Sequence, residues 1–156
     1  MFIMKISKYI RLMLLITALS FNMACAQNPT KAKLNHTAIY VSDLIKTAAF
    51  YGGVLGLETI PEPFKDGKHI WYALAPGVAL HVIQGQVEKQ VHPRNHHTCF
   101  SVPSVDSFIE ILKKNNIVWE DRDGVKNTTT TRPDGVKQIW FTDPDGYWIE
   151  INDAKE

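Results

Sequence analysis

No apolar run in this chain reaches membrane-spanning length. Leu12 through Leu19, interrupted only by Thr17, stops well short of the ~20 residues a spanning helix needs. There is no basic run or stripe, which argues against a nucleic-acid partner. Cysteine is scarce: Cys25 and Cys99 are the only two. If the chain is processed after Ala26, Cys99 stands alone, no intrachain disulfide is possible, and a lone thiol in an exported protein is expected to be buried.

The N-terminus also lacks acid. Lys5, Lys8 and Arg11 precede the apolar run, and Ala24-Cys25-Ala26 supplies a small-residue cleavage pattern before Gln27. This predicts a secretory signal peptide over 1–26 and export to the periplasm or beyond. The alternative is a lipoprotein anchored at Cys25. Residues 27–33 are a short linker. Removing three cations from 17 leaves 14 against 16 acids, so the mature chain is mildly acidic. Its length suits one domain.

What is present repeats itself. His36-Thr37-Ala38-Ile39-Tyr40-Val41 and His97-Thr98-Cys99-Phe100-Ser101-Val102 share His, Thr and Val at matching places, and both read as strands. A helix is expected after each. The first spans about Asp43 to Leu55, capped by Ser42 or Asp43, with Leu44, Ala48, Tyr51 and Leu55 inward. The second spans about Ser104 to Asn115, capped by Ser104. Three strands follow each helix: Leu57–Ile60, His69–Ala75 and Val78–Gln84, then Val118–Arg122, Val136–Thr142 and Tyr147–Asn152. The class is α+β, two βαβββ modules over 34–84 and 96–153, joined by a linker over 85–95. Asp143-Pro144-Asp145-Gly146 predicts a type I turn before the last strand.

Strand phase singles out four residues. Thr37, Ile39 and Val41 share a face, as do Thr98, Phe100 and Val102, Leu80 and Val82, and Ile149 and Ile151. The helices are expected to pack there. The opposite faces carry His36, His81, His97 and Glu150, good metal ligands on one side of four strands. A lone strand histidine is more often a solvated end, and a lone alternating glutamate more often faces water. Agreement in phase joins the four, and a divalent cation removes the cost of burying Glu150. His69 and His92 have no such partners and are expected at the surface. His96 points away from His97. Cys99 lies on the ligand face as a small filler. Among the tryptophans, Trp148 shares the phase of Glu150 and is the candidate substrate contact. Asp121 to Arg132, with its four threonines, is a candidate lid over the cleft or a plain solvated loop.

Asn35-His36-Thr37-Ala38-Ile39-Tyr40-Val41-Ser42-Asp43, Ala49-Phe50-Tyr51 with Val54-Leu55-Gly56-Leu57, and Asp143 through Glu150 carry a further likeness. Over 34–153 the chain resembles the vicinal oxygen chelate superfamily, which includes glyoxalase I, fosfomycin-resistance proteins, extradiol dioxygenases and bleomycin-resistance proteins. The resemblance implies two modules curving their sheets around a metal-binding cleft, with helices outside. It implies one divalent ion (Zn, Ni, Mn, Co or Fe) on His36, His81, His97 and Glu150, and a small substrate that chelates it through neighbouring oxygens. It further implies a lyase or isomerase of glyoxalase type with Glu150 catalytic, and a homodimer. The alternatives are an extradiol-type dioxygenase and a non-catalytic drug-binding protein. Two departures stand out. Glyoxalase I commonly has glutamate where His81 stands, and fosfomycin-resistance enzymes have threonine where Ala38 stands.

Overall fold

The computed structural model describes residues 31–86, 88 and 90–155. The expected signal peptide and Cys25 lie outside them. β1 (His36–Val41) leads into α1 (Leu44–Ala48), which continues as a π-helix over Ala49–Val54. β2 (Thr59–Ile60), β3 (His69–Ala75) and β4 (Val78–Gln84) complete the first module. The second has β5 (His97–Ser101), α2 (Val105–Lys114), β6 (Thr130–Thr131), β7 (Lys137–Thr142) and β8 (Trp148–Asn152). The sheets run β1-β4-β3-β2 and β5-β8-β7-β6. In each, the first strand pairs parallel with the last and the other pairs are antiparallel. This is the expected α+β pair of βαβββ modules. No helix among the described residues is long and apolar enough to cross a membrane.

Local chemistry sets the helix starts. Asp43 Oδ1 accepts from the Ile45 and Lys46 amides, and Ser104 Oγ from the Ser107 amide, so both helices begin on a side-chain cap. The buried row of the first helix differs from the expected one. Thr47, Phe50, Tyr51 and Val54 are buried, whereas Leu44, Ala48 and Leu55 are only partly covered. The cause is the π-winding, in which the Leu55 amide reaches back to the Phe50 carbonyl at 3.1 Å. The wider turn rotates later side chains off a 3.6-residue row.

The sixth strand also moves. Val118–Arg122 contributes only Glu120, through isolated bridges to Lys126 and Trp140. Thr130 and Thr131 form β6 instead, paired with Gln138 and Lys137. The stretch considered as a lid is therefore tied to the sheet edge. Thr130 Oγ1 accepts from the Arg122 amide, and the Asn127 amide donates to the Trp119 carbonyl. β-Branched threonines suit a pleated edge, and the outward polar face that made them look like loop is what an edge strand presents to water.

The faces turned toward the helices merge into one core. Val41, Val82 and Ile151 are fully buried, with Ile39, Leu80 and Ile149 nearly so. Phe141 joins the halves, its ring 6.0 Å from Phe50 and 6.1 Å from Phe108.

The Asp143–Gly146 turn fastens the modules to each other. The Gly146 amide returns to the Asp143 carbonyl at 3.1 Å, and Gly146 sits at φ +91°, where a side chain would be strained. Asp143 Oδ1 accepts from the Asp145 and Tyr147 amides, and its Oδ2 accepts from the Tyr51 hydroxyl at 3.1 Å. Asp145 Oδ1 accepts from the Ser42 amide and hydroxyl at 2.9 and 2.6 Å, and Oδ2 from Thr47 Oγ1 at 3.4 Å. Asp145→Ala removes the acceptor of both Ser42 donors, while Thr47 Oγ1 keeps the Asp43 carbonyl at 2.9 Å, and should destabilise the fold by about 1–3 kcal/mol. Chemical denaturation checks this against Asp134→Ala, an exposed aspartate whose loss should leave stability within measurement scatter. Equal behaviour of the two variants would show that the clasp contributes nothing.

Candidate functional site

Cross-strand register builds one face of the first sheet. Trp71 on β3 lies opposite His81 on β4, which neighbours Ala38 on β1, while Ala73 pairs with Ala79, which neighbours His36. Three rings stack along this face. Trp71 and His81 have centroids 3.8 Å apart and planes within 2°, and His81 and His36 are 4.1 Å apart within 7°. His36 Nδ1 lies 2.8 Å from Asn35 Oδ1. An amide oxygen only accepts, so Nδ1 carries the proton and Nε2 keeps its lone pair. The rings line an open cavity of about 970 Å³ floored by Ala73 and Ala79.

The second sheet gives a matching half. His97 Nδ1 donates to the Arg94 carbonyl at 2.9 Å, which again leaves Nε2 as the outward nitrogen. That nitrogen lies 3.0 Å from Glu150 Oε2. Asn152 Nδ2 holds Glu150 Oε1 at 3.2 Å, and Glu150 is buried. In both halves the partner of Nδ1 turns Nε2 outward, that of His36 into the cavity and that of His97 onto the Glu150 carboxylate, where a proton or a cation must lie between them. That donor chemistry fits a divalent metal, whose histidine ligands usually donate their other nitrogen to an oxygen.

The structure thus joins His36 to His81, and His97 to Glu150. It does not bring the pairs together: among the described residues no three His, Cys, Asp or Glu side chains converge. Trp148 is the register partner of His97 on the second sheet. Its Nε1 donates to the His92 carbonyl at 2.9 Å, and the Arg94 guanidinium sits 4.9 Å above its ring. The tryptophan stacked on His81 is Trp71, which sequence phase alone did not single out. Its pairing with His81 was readable only once strand register was known.

Three further expectations need correction. Cys99 is exposed, because β5 ends its sheet and no strand among the described residues pairs with its outer side. Local burial of the sulfur, and then the Glu150 carboxylate, push its thiol up to about 12. His92 is half-buried and stacks on Tyr147 at 3.9 Å. His69 is largely covered by Phe64, whose ring lies 4.5 Å away, and bonds Asp66 at 2.9 Å. In both cases a neighbouring aromatic ring shields the imidazole.

Residues 33–151 match the model of the glyoxalase/bleomycin resistance protein/dioxygenase superfamily. The chain belongs to that superfamily. A lactoylglutathione lyase of Schizosaccharomyces pombe is 27% identical, over 86% of this chain and 51% of the relative. The chain therefore spans about half the length of that relative. A lactoylglutathione lyase of Pseudomonas putida is 28% identical over 75% of this chain and 82% of its own. A glyoxalase/dioxygenase structure from Nostoc punctiforme superposes with TM-score 0.64 at 24% identity, covering 80% of this chain and 92% of that one, and speaks for the fold alone.

Within this superfamily scaffold, His81 is held neutral. Burial, then the neighbouring His36 and His69, lower its pKa below the ordinary 6.5. A lowered histidine supports stability fully above its unfolded value, and that support is lost as pH falls toward the folded value. Between about pH 7 and about pH 5 the wild type should therefore lose more thermal stability than His81→Phe, which keeps a ring on Trp71 but cannot titrate. Melting curves across that range test it, and parallel profiles would contradict it.

Proposed function

We propose that this protein is a metal-dependent, glyoxalase-like lyase or isomerase acting on a small substrate through two neighbouring oxygens. The observation that carries this reading is the pair of half-sites: His36 stacked on His81, and His97 bonded to Glu150 at 3.0 Å. One divalent ion held by His36, His81, His97 and Glu150 would supply a Lewis acid that stabilises negative charge on the chelated oxygens. Its identity among Zn, Ni, Mn, Co and Fe is open to the same donor set. Glu150 is the residue that moves the proton. Asn152 pins one of its oxygens, and the carboxylate would take a proton from one oxygen-bearing carbon of the substrate and return it to the adjacent carbon. The names of the two lactoylglutathione lyase relatives support the lyase class.

That the half-sites do not converge among the described residues supports a full ligand set assembled in a homodimer. The first module of one copy then faces the second module of its partner. The N-terminal pattern over 1–26 supports export to the periplasm or beyond.

Metal analysis of purified wild type, His97→Ala and Glu150→Ala tests the site. Both variants should lose most of the bound metal, and unchanged content in both would overturn it. Co-refolding His36→Ala with Glu150→Ala tests the sharing. In random twofold dimers about a quarter of all sites regain an intact set, so metal content should recover to about that fraction. A mixture as empty as its parents would place the site within one chain.

A further inference from the structure

The cavity beside His36 and His81 is apolar for a site in a family with thiol-adduct substrates. Its walls include Leu57, Ile60, Leu74 and Val78, with the Trp71 ring at one end. Its floor is small because β3 and β4 place Ala73 opposite Ala79. Among its lining residues Glu58 alone is charged in fixed form, and none is Lys or Arg. At about 970 Å³ it is large enough for a ring or alkyl group beyond two chelating oxygens.

Two arginines of the second module have partners of their own. Arg94 pairs with Glu120, donates to the Arg122 carbonyl and covers Trp148. Arg132 Nη2 is 2.6 Å from Asp134 Oδ2. Beyond the two oxygens on the metal, a peptidyl carboxylate or a phosphate among these apolar walls would lose water and meet no Lys or Arg among the lining residues, which is costly. Glu58 would repel it further.

We propose that the substituent carried by the chelating substrate is uncharged and apolar, an aryl or medium alkyl group, and that Ala73 and Ala79 set its size. This rests on the metal-chelation reading of the same site. It separates the protein from enzymes of anionic thiol adducts, because the group that fits the cavity is defined by what the cavity cannot neutralise.

The test uses two catechols that share the vicinal oxygens and differ in the substituent. 4-Propylcatechol carries an apolar tail, and 3,4-dihydroxybenzoate carries a carboxylate. Isothermal titration is run on metal-loaded and on chelator-treated protein. The propyl compound should bind at least about ten-fold more tightly, a discrimination that a hydrophobic pocket of this kind can supply. Ala73→Phe should erase that preference while leaving metal content unchanged. Equal affinities, or tighter binding of the benzoate, overturn the proposal even if that variant fails to fold, since the wild-type comparison stands alone. Metal bound with no propyl preference sinks the cavity assignment and leaves the metal site standing. No metal bound, but a propyl preference in the chelator-treated protein, supports the cavity assignment and sinks the metal reading.

Discussion

Two buried carboxylates in one turn decide how the halves of this protein meet. Asp143 and Asp145 are 5% and 3% exposed, and each is a heavy cost unless donors surround it. Burial raises the Asp143 pKa even though the Tyr147 and Asp145 amides and Tyr51 oppose the shift. Asp145 finds its donors in the other module, at Ser42 and Thr47. Neither carboxylate is satisfied until the first helix is in place against the turn. The two modules therefore fold as a unit, and β8, which begins just after the turn, is positioned by residues a hundred positions earlier in the chain. Glu150 inherits its place from this clasp.

The clasp has a second effect. It directs the apolar faces of both sheets into a common core, where Ile39, Val41, Leu80, Val82, Ile149 and Ile151 meet. The opposite faces, with the histidines, are left outside that core. β1 and β5 each end a sheet, and no strand among the described residues pairs with their outer sides. The exposure of His36, Ala38 and Cys99 follows. An interior consumed by hydrophobic packing cannot also house the ligands. This is why each module offers a half-site rather than part of a closed cage.

Much of this was legible in the residues. Period-two alternation identified the buried face of β1, β4 and β8, because a one-residue slip would have put Ile149 or Val82 in water. The same alternation put His36, His81, His97 and Glu150 opposite that face, and side-chain contacts then pair His36 with His81 and His97 with Glu150. Other features depended on information no local pattern holds. The π-winding after Ala48 depends on hydrogen bonds shifted by one residue, and composition does not announce that shift. Thr130 and Thr131 became a strand because Lys137 and Gln138 lie alongside, a tertiary override of a loop-like sequence. Asp143 and Asp145 read as turn formers, which they are, but their bonds to Tyr51, Ser42 and Thr47 join distant parts of the chain.

The linker carries one more consequence for the site. Arg94 is fixed through its whole length: its side chain by Glu120, the Arg122 carbonyl and the Trp148 ring, and its carbonyl by His97 Nδ1. Gly85 at the other end permits the Tyr40 ring to lie where a Cβ would overlap it, and Tyr40 in turn exchanges backbone hydrogen bonds with the Tyr147 hydroxyl at 3.1 Å. His92 packs on that same Tyr147 ring. The segment joining the modules is thus seated on both of them at defined points. Its seating sets the orientation of the His97 ring, because the Arg94 carbonyl accepts from Nδ1 and leaves Nε2 facing Glu150. The orientation of an imidazole in the second module therefore depends on how the chain leaves the first, and a connection that looks like a polar spacer is part of what aims the nitrogen at Glu150.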